Sequence, residues 1–598
     1  MVTTAASPQK KKKGKKFVPL PTLEAAAGQL AWRLGFSAKL GRHAVADMDL
    51  PAGTLILTEK PVVAIPRSKL AGHVCHACFR PLASPVESKA GFNPCLPRYC
   101  APCKGGSPDL LALDSKLAGL RIKLNDIAKE HPVEHELLHL LVLLDVRRST
   151  AASAKPAQPA TPSLADETPV LRCSVADADA VASPWERKAE AWRKAVTAAL
   201  RPLHKELVAL EESGALEGYR ASRLEQLQSD AAMLICNLTG VGAEGASQEA
   251  GVGLFPAGAA LNHSCRPNCI SVPIGQTMYV RTIVDVPAGA QLTVCHVQAY
   301  DPRPVRQAAL LQERGLKCAC ERCSEPLAKS TDRFLEGVWC MNCTTDVLLA
   351  LPPGTPEAQA AAAQYEEELA AAEAEEEAAA RKKGGKKQQQ EGAAANGGGA
   401  AAAAAPELAG PEGGKAAAEG EGKEEEGEAA KVDKWWRCAG CGHVELAHNT
   451  AANGPGDVVG QADKMWQQGA MLYQMKVPQL MPQAEAFLQS LQQGMDGRLH
   501  PYHTRVIDSL APLINLALRR GDALSVFNYS VALWEAENAV QARYSLHQLQ
   551  YLSAIVDTSA AKATHAQSAV VKRQFEKKLK AAMTTAAEIR RVLLGKSS

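Results

Sequence analysis

The stretch GVGLFPAGAALNHSCRPNC, residues 251–269, decides the fold of this chain. It closes an apolar run with Asn262, His263, Ser264 and Cys265. Taken alone, such polar side chains would be residues satisfied inside a β-rich core. What gives the string its weight is the company it keeps: a glycine turn far upstream, a cysteine cluster downstream, and Cys-x2-Cys pairs on both sides.

Working outward, Met233 to Asn237 reads as a buried strand, and a glycine-rich loop leads from it into Val252 to Pro256. On the other side, Met278 to Arg281 and Val284 to Val286 read as strands. A Pro287-Ala288-Gly289 turn then delivers Gln291 to His296 as another. Further on, Cys318-x-Cys320-x2-Cys323 supplies three thiolates where structural zinc takes four. Far upstream, residues 39–66 read KLGRHAVADMDLPAGTLILTEKPVVAIP. Leu55 to Leu57 and Val62 to Ile65 are short apolar runs bounded by Pro51-Ala52-Gly53 and Pro61, which suits a strand pair. Between the two regions, Cys75-x2-Cys78 and Cys100-x2-Cys103 form two knuckles that together complete a four-thiolate zinc site.

This combination resembles the SET-and-MYND family of protein-lysine methyltransferases. The resemblance implies an α+β chain: a split β-rich SET domain with a pseudoknot, an inserted zinc finger and helices, a Cys-rich post-SET clip, and a C-terminal helical lobe like tetratricopeptide arrays. It implies S-adenosyl-L-methionine as cofactor, held by Gly41, Arg42 and His43 in a glycine turn, by Asn262 and His263, and by Leu316 where the family stacks an aromatic on adenine. It also implies that Cys265 completes the clip with Cys318, Cys320 and Cys323. The family's lysine-orienting tyrosine falls on His296, and a second tyrosine position is Arg314. Neutral imidazole could accept a hydrogen bond from the lysine ammonium, whereas an Arg314 pointing into the channel would repel both lysine and sulfonium. Tyr300 is a nearby substitute phenol. A full MYND finger carries eight ligands. Here only Cys95 is left over, so one zinc and a truncated finger are expected.

Elsewhere the chain divides by composition. Residues 1–30, with lysines at 10–13, 15 and 16, are expected to be a disordered basic tail in preference to a nuclear-targeting patch, with order beginning near Trp32. The expected parts are then a SET N-terminal half over 31–73, the finger over 74–104, and a helical insertion over 105–230 with a flexible Ala/Pro-rich loop at 149–184. SET core over 231–303 and the clip over 304–326 follow. Cys340-x2-Cys343 and Cys438-x2-Cys441 read as the halves, 335–350 and 433–446, of a zinc ribbon. Residues 351–432, nearly all Ala, Glu, Gly, Lys and Gln, lack anything to bury and are expected to be a disordered insertion, with a helix of Ala and Glu starting around Ala358. Residues 460–595 read as successive helices of a TPR-like domain.

The 598 residues allow two to four domains. With 17 cysteines and no apolar run long enough for a bilayer or a signal peptide, the expectation is a soluble, non-secreted chain in which close cysteine pairs hold metal, about three zinc ions in all. Nucleus and cytoplasm both fit. A net charge of +3 argues against a zinc-dependent nucleic-acid binder. Two functions remain: methyl transfer from S-adenosylmethionine to lysines of a histone or non-histone protein, or a catalytically impaired SET scaffold that binds partner proteins, including on its C-terminal helices.

Overall fold

The computed structural model describes residues 19–83, 96–106, 108–151, 168–181, 183–242, 249–368, 370–371, 374–375, 435–448, 454–540, 544 and 546–595. They fall into two compact units, residues 1–326 with 513–598, and residues 327–512.

The first unit is built on strands far apart in sequence. β1 (Trp32–Ser37) and β2 (Gly41–Ala46) form an antiparallel hairpin, Trp32 opposite Ala46. Trp32 is buried and donates its indole N–H to the Ile56 carbonyl, 2.7 Å away, which ties the hairpin to the next sheet. β3 (Leu55–Lys60) and β4 (Val63–Pro66) are strands where the two apolar runs predicted them, but the expected pairing is wrong: they lie in different sheets. β5 (Val170–Arg172) lies parallel to β3. β6 (Leu238–Gly242) pairs with β7 (Glu249–Leu254), and β7 also pairs with β4. β8 (Asn262–His263), β9 (Cys269–Ile274), β10 (Thr277–Thr282) and β11 (Gln291–Val294) complete three sheets, ordered β1-β2-β11-β8, β5-β3-β10-β9 and β4-β7-β6.

One apolar core serves the sheets and the inserted helices Pro108–Glu130, His135–Ala151, Glu190–Glu212 and Leu224–Asn237. Leu117, Leu124, Leu138, Leu200 and Leu227 meet Ile56, Leu57 and Leu254 there, all essentially fully buried. Helices Ala523–Val540, Leu546–His565 and Ala569–Leu594 belong to the same unit.

The second unit carries the ribbon as an antiparallel sheet, β12 (Val338–Trp339), β13 (Val347–Ala350), β14 (Trp435–Cys438) and β15 (Val444–Leu446). Val338, Leu348, Trp436, Val458, Leu491 and Leu499 form its core, so helices Pro455–Met475 and Met481–Gln492 pack on the ribbon. Residues 356–368 are helical; the bulk of the Ala/Glu/Gly insertion and Cys95 lie outside the described residues.

Several expectations need correction. Order begins before Trp32: Leu20 is fully buried, a short helix spans Pro21–Ala25, and Thr22 bonds through its N–H and hydroxyl to the Asp177 carboxylate, 2.8 and 2.6 Å. Residues 1–18 lie outside the description. Met233 to Asn237 is the last turn of the helix Leu224–Asn237, not a strand, because four successive apolar residues carry no period to separate the two. The expected flexible loop at 149–184 is structured at its end: β5 extends a sheet, and Val175–Ala180 is a helix opened by a Ser174/Asp177 capping box. Its residues 152–167 lie outside the description. Val284 to Val286 is not a full strand: only Val286 pairs, in an isolated antiparallel bridge with Leu50, and Asp285 accepts the Ala52 N–H at 2.8 Å. Finally, the helices expected to form one lobe over 460–595 are divided between the two units at Pro512.

Candidate active site and metal clusters

Asn262 and His263 form β8, parallel to β11, with Asn262 opposite Thr293 and His263 opposite Val294. Ser264 N–H continues the ladder to the Val294 carbonyl, 2.9 Å. The chain then doubles back under β11 at Asn268. Its amide N donates to the Gln291 carbonyl, and its oxygen accepts the Thr293 N–H, both at 2.8 Å. Asn268 thus substitutes for a neighbouring strand and locks the crossing; it had not been singled out from sequence.

The loop before β8 is held by Glu59. Its carboxylate lies wholly inside the protein and accepts the N–H groups of Ala257 and Gly258 at 3.0 and 2.8 Å. Burial pushes its pKa up to about 7 against the lowering effect of those bonds. A glutamate inside the apolar run LILTEK was the signal that could have found it.

On the other side of β11 is the glycine turn. Gly41, Arg42 and His43 open strand β2, so they are the turn's exit and not its apex. Gly41 has φ +66°, a left-handed conformation, and the position a Cβ would take faces open space. Asn262 Nδ2 donates to the Leu40 carbonyl at 3.1 Å, so the two cofactor-binding stretches expected from sequence are brought together, and the Asn262 amide oxygen remains to accept. Arg42 Nη1 donates to the Ala180 carbonyl, 2.9 Å, and burial lowers its pKa. His43 Nδ1 bonds the Gly41 carbonyl at 3.0 Å. Open space at Gly41 beside carbonyl, amide and guanidinium groups fits a zwitterionic amino-acid moiety such as that of S-adenosylmethionine.

His263 is fully engaged. Its Nδ1 accepts the backbone N–H of His296 at 3.1 Å, which puts the ring proton on Nε2, 3.2 Å from Cys265 Sγ. Burial lowers its pKa to about 4. Neither ring nitrogen is left for adenine, so only its backbone can be offered to a cofactor. The His296 ring stacks on it, centroids 5.8 Å apart. Burial first, then Arg314 and His263, hold the His296 pKa well below the usual imidazole range, so the ring is neutral.

His296 and Arg314 line one cavity of about 540 Å³. Its apolar wall includes Leu238, Val252, Leu261 and Met278, and exposed Glu134, Glu249 and Glu313 also line it. The Arg314 guanidinium is anchored, with Nη1 donating to the Cys236 carbonyl at 2.7 Å at the C-terminal end of the helix Leu224–Asn237. Leu316 is 36 % exposed and does not line this cavity. Tyr300 is also apart from His296: its hydroxyl donates to Glu537 Oε1 at 2.8 Å, in a second, smaller cavity.

The cysteines assemble as the spacing predicts. Cys75, Cys78, Cys100 and Cys103 form one cluster, Cys265, Cys318, Cys320 and Cys323 a second, and Cys340, Cys343, Cys438 and Cys441 a third; within each, the sulfurs lie within 4.8 Å of one another. Four thiolates at about 2.3 Å from a zinc ion form a tetrahedron with edges near ~3.8 Å. Sulfur pairs at 3.7 Å occur in the first and third clusters, and Cys265 and Cys323 lie 3.5 Å apart in the second. The donor set and its edges fit zinc in all three. Arg322, almost fully buried, braces the second cluster by donating to the Cys265 and Ala299 carbonyls at 3.3 and 2.9 Å. Among the described residues, no helix is long and apolar enough to cross a membrane.

Comparison with known proteins places this architecture. The SET domain model matches residues 41–297. Histone-lysine N-methyltransferase SMYD3 of Homo sapiens is 39% identical over 93 residues, 15% of this chain and 21% of that protein. A SET and MYND domain-containing protein of Dictyostelium discoideum is 29% identical over 92 residues, 15% of this chain and 24% of the other. Histone-lysine N-methyltransferase ATXR4 of Arabidopsis thaliana is 24% identical over 298 residues, 49% of this chain and 85% of its own length. The match to SMYD3 therefore spans about a fifth of that protein.

Proposed function

We propose, from the premise that the chain belongs to the SET-and-MYND family of SET-domain proteins, that it transfers a methyl group from S-adenosylmethionine to a lysine side chain of a protein substrate. The observation that carries this reading is the joining of two sequence-distant stretches, Leu40–Gly41 and Asn262, by one hydrogen bond, with Leu261, the residue before Asn262, lining the cavity that His296 lines. When bound, S-adenosylmethionine supplies an electrophilic methyl group on a sulfonium. Asn262, Arg42 and the open face of Gly41 would hold its amino-acid end.

What the chain's own residues contribute is position and dryness. Glu134, Glu249 and Glu313 attract an ammonium to the cavity. Inside, the apolar wall and the Arg314 charge both disfavour the ammonium relative to the free amine, and the free amine is the nucleophile. The Leu261 carbonyl accepts from the His296 ring, leaving the other ring nitrogen as an acceptor for the amine N–H. Orientation of a desolvated amine then carries most of the rate. Zinc bound by the three four-cysteine clusters would hold the finger, the clip and the ribbon together, with all four positions of each ion taken by thiolates.

The test is calorimetric titration of S-adenosylmethionine into zinc-loaded protein, with Asn262→Ala as control, followed by lysine-peptide arrays. Binding near micromolar, about −8 kcal/mol, that is lost in the control supports the reading. No binding at millimolar cofactor in folded protein overturns it. One feature favours a second reading, a non-catalytic scaffold: the Arg314 guanidinium lines the cavity where the family has a phenol. Cofactor binding without methylation of any array peptide would favour the scaffold.

A further inference from the structure

Beside the His296 cavity lies a smaller one of about 210 Å³, and Ser271, Val294, Cys295, Val297 and Gln298 line both. A roughly 150 Å³ cavity accepts a benzene ring, so this one has room for one long side chain. At it stand two hydrogen-bonding atoms without partners among the described residues: Glu537 Oε2 and Ser271 Oγ. Glu537 is 3 % exposed. Its other oxygen accepts from the Tyr300 hydroxyl at 2.8 Å, and the Gln548 side chain also bonds to the carboxylate. A carboxylate so deeply buried whose Oε2 still lacks a well-placed donor is costly unless a cation or donor completes it.

We infer that the Tyr300–Glu537 cavity is a recognition subsite for a basic side chain, arginine or lysine, that flanks the target lysine in the substrate. The inference deepens the methyltransferase reading and rests on it for the identity of the occupant. Shared walls place the two cavities side by side, so a peptide with its target lysine in the larger could set a neighbouring side chain in the smaller. A guanidinium or ammonium would donate to Glu537 Oε2 and Ser271 Oγ, and the Tyr300 hydroxyl would keep the carboxylate oriented.

The test uses the zinc-loaded full chain and needs no turnover. Methylguanidinium and n-butylammonium are titrated by ligand-observed NMR beside the neutral analogues methylurea and n-butanol, in wild type and Glu537→Gln. The inference expects at least one cation to bind in the millimolar range, ahead of its neutral analogue, and to weaken tenfold or more in Glu537→Gln of unchanged melting temperature. Equal binding of cation and neutral analogue, or equal cation binding in wild type and variant, overturns it. If Glu537→Gln does not fold, Ser271→Ala decides instead, with a threefold or greater loss expected and no loss overturning. Where an oriented peptide library is methylated, enrichment of a basic residue at a fixed distance from lysine should vanish in the variant. Failure of all methylation with intact cation binding would fault the proposed activity and leave the subsite standing.

Discussion

The backbone N–H of His296 bonds to Nδ1 of His263, 3.1 Å away, while Nε2 of the same His263 ring faces Cys265 Sγ at 3.2 Å. One imidazole therefore links the end of β11 to the second cysteine cluster. His263→Ala removes both bonds and leaves a buried N–H unpaired, at a cost of about 1–3 kcal/mol. Zinc content should stay unchanged, whereas S-adenosylmethionine affinity should fall about tenfold. Parallel metal analysis and calorimetry check the split.

A neutral His296 has a kinetic signature. Its pKa lies well below 6.5, so its protonation is confined to acid conditions and cannot shape the rate between about pH 6 and 8. His296→Gln keeps an acceptor and should lower kcat by an order of magnitude or more. The pH profiles of the two proteins should share one shape over that range, in single-turnover methylation of any peptide the arrays identify. An inflection near 6.5 present only in the wild type would contradict a neutral imidazole.

Three thiolate clusters predict three zinc ions per chain. Cys265→Ser and Cys441→Ser should each lower the content to two by elemental analysis, since three sulfurs hold zinc poorly. Their consequences should differ. The first variant disturbs the segment following Asn262 and His263 and should lose cofactor binding; the second disturbs only the ribbon and should keep it. Chelation of all three sites should lower the melting temperature sharply.

Glu59 makes stability depend on pH in the direction opposite to a salt-bridged carboxylate. Its folded pKa of about 7 lies above the ordinary 4.5. Its contribution is thus whole below about pH 4.5 and is lost as pH rises through 7, a loss on the order of 3 kcal/mol. Glu59→Gln should remove this slope, so the difference in urea stability between the two proteins should change between pH 5 and 8 in the variant's favour.

Gly251 is required by proximity. A Cβ there would overlap the ring of the fully buried Phe79 and the Ile65 carbonyl of β4, across the β4–β7 pairing. The carbonyl belongs to a sheet and cannot retreat alone. Gly251→Ala should therefore destabilise the protein by about 3 kcal/mol or more, measured as a fall in melting temperature, whereas Gly119→Ala, exposed on the helix Pro108–Glu130 with open space at its Cβ position, should not.

Local chemistry was legible in the sequence, and long-range partnership less so. Cysteine spacing predicted the first and third clusters and three members of the second, because a knuckle's two thiolates are fixed by a few residues of backbone; Cys265 came from the family resemblance. Asn262 and Gly41 were found through their place in a family pattern, and the structure joins them. Met233 to Asn237 is a helix turn where a strand was expected because four apolar residues in a row carry no period that separates strand from helix. Tyr300 was placed by nearness in sequence to His296, but Glu537, more than two hundred residues away, determines where its hydroxyl points. Asn268 and Arg322 act through backbone carbonyls and amides, which leave no mark in a residue pattern.

The sheet topology also sets a timetable for biosynthesis. β3 waits for β10, β4 for β7 and β2 for β11, so after β1 and β2 pair, the N-terminal strands leave the ribosome without their partners. At ~5–20 residues per second, the ~220 residues between β3 and β10 take roughly 10–40 s to synthesise. β5 reaches one edge of β3 about halfway through that interval and β7 reaches β4 before its end; until then both are exposed apolar edges, the kind of segment that aggregates or is held by chaperones. Even then the unit is unfinished: the helix Ala569–Leu594 reaches back through Arg591 to the Ala52 carbonyl, 3.4 Å away, so the turn before β3 is covered only after 539 further residues have been made.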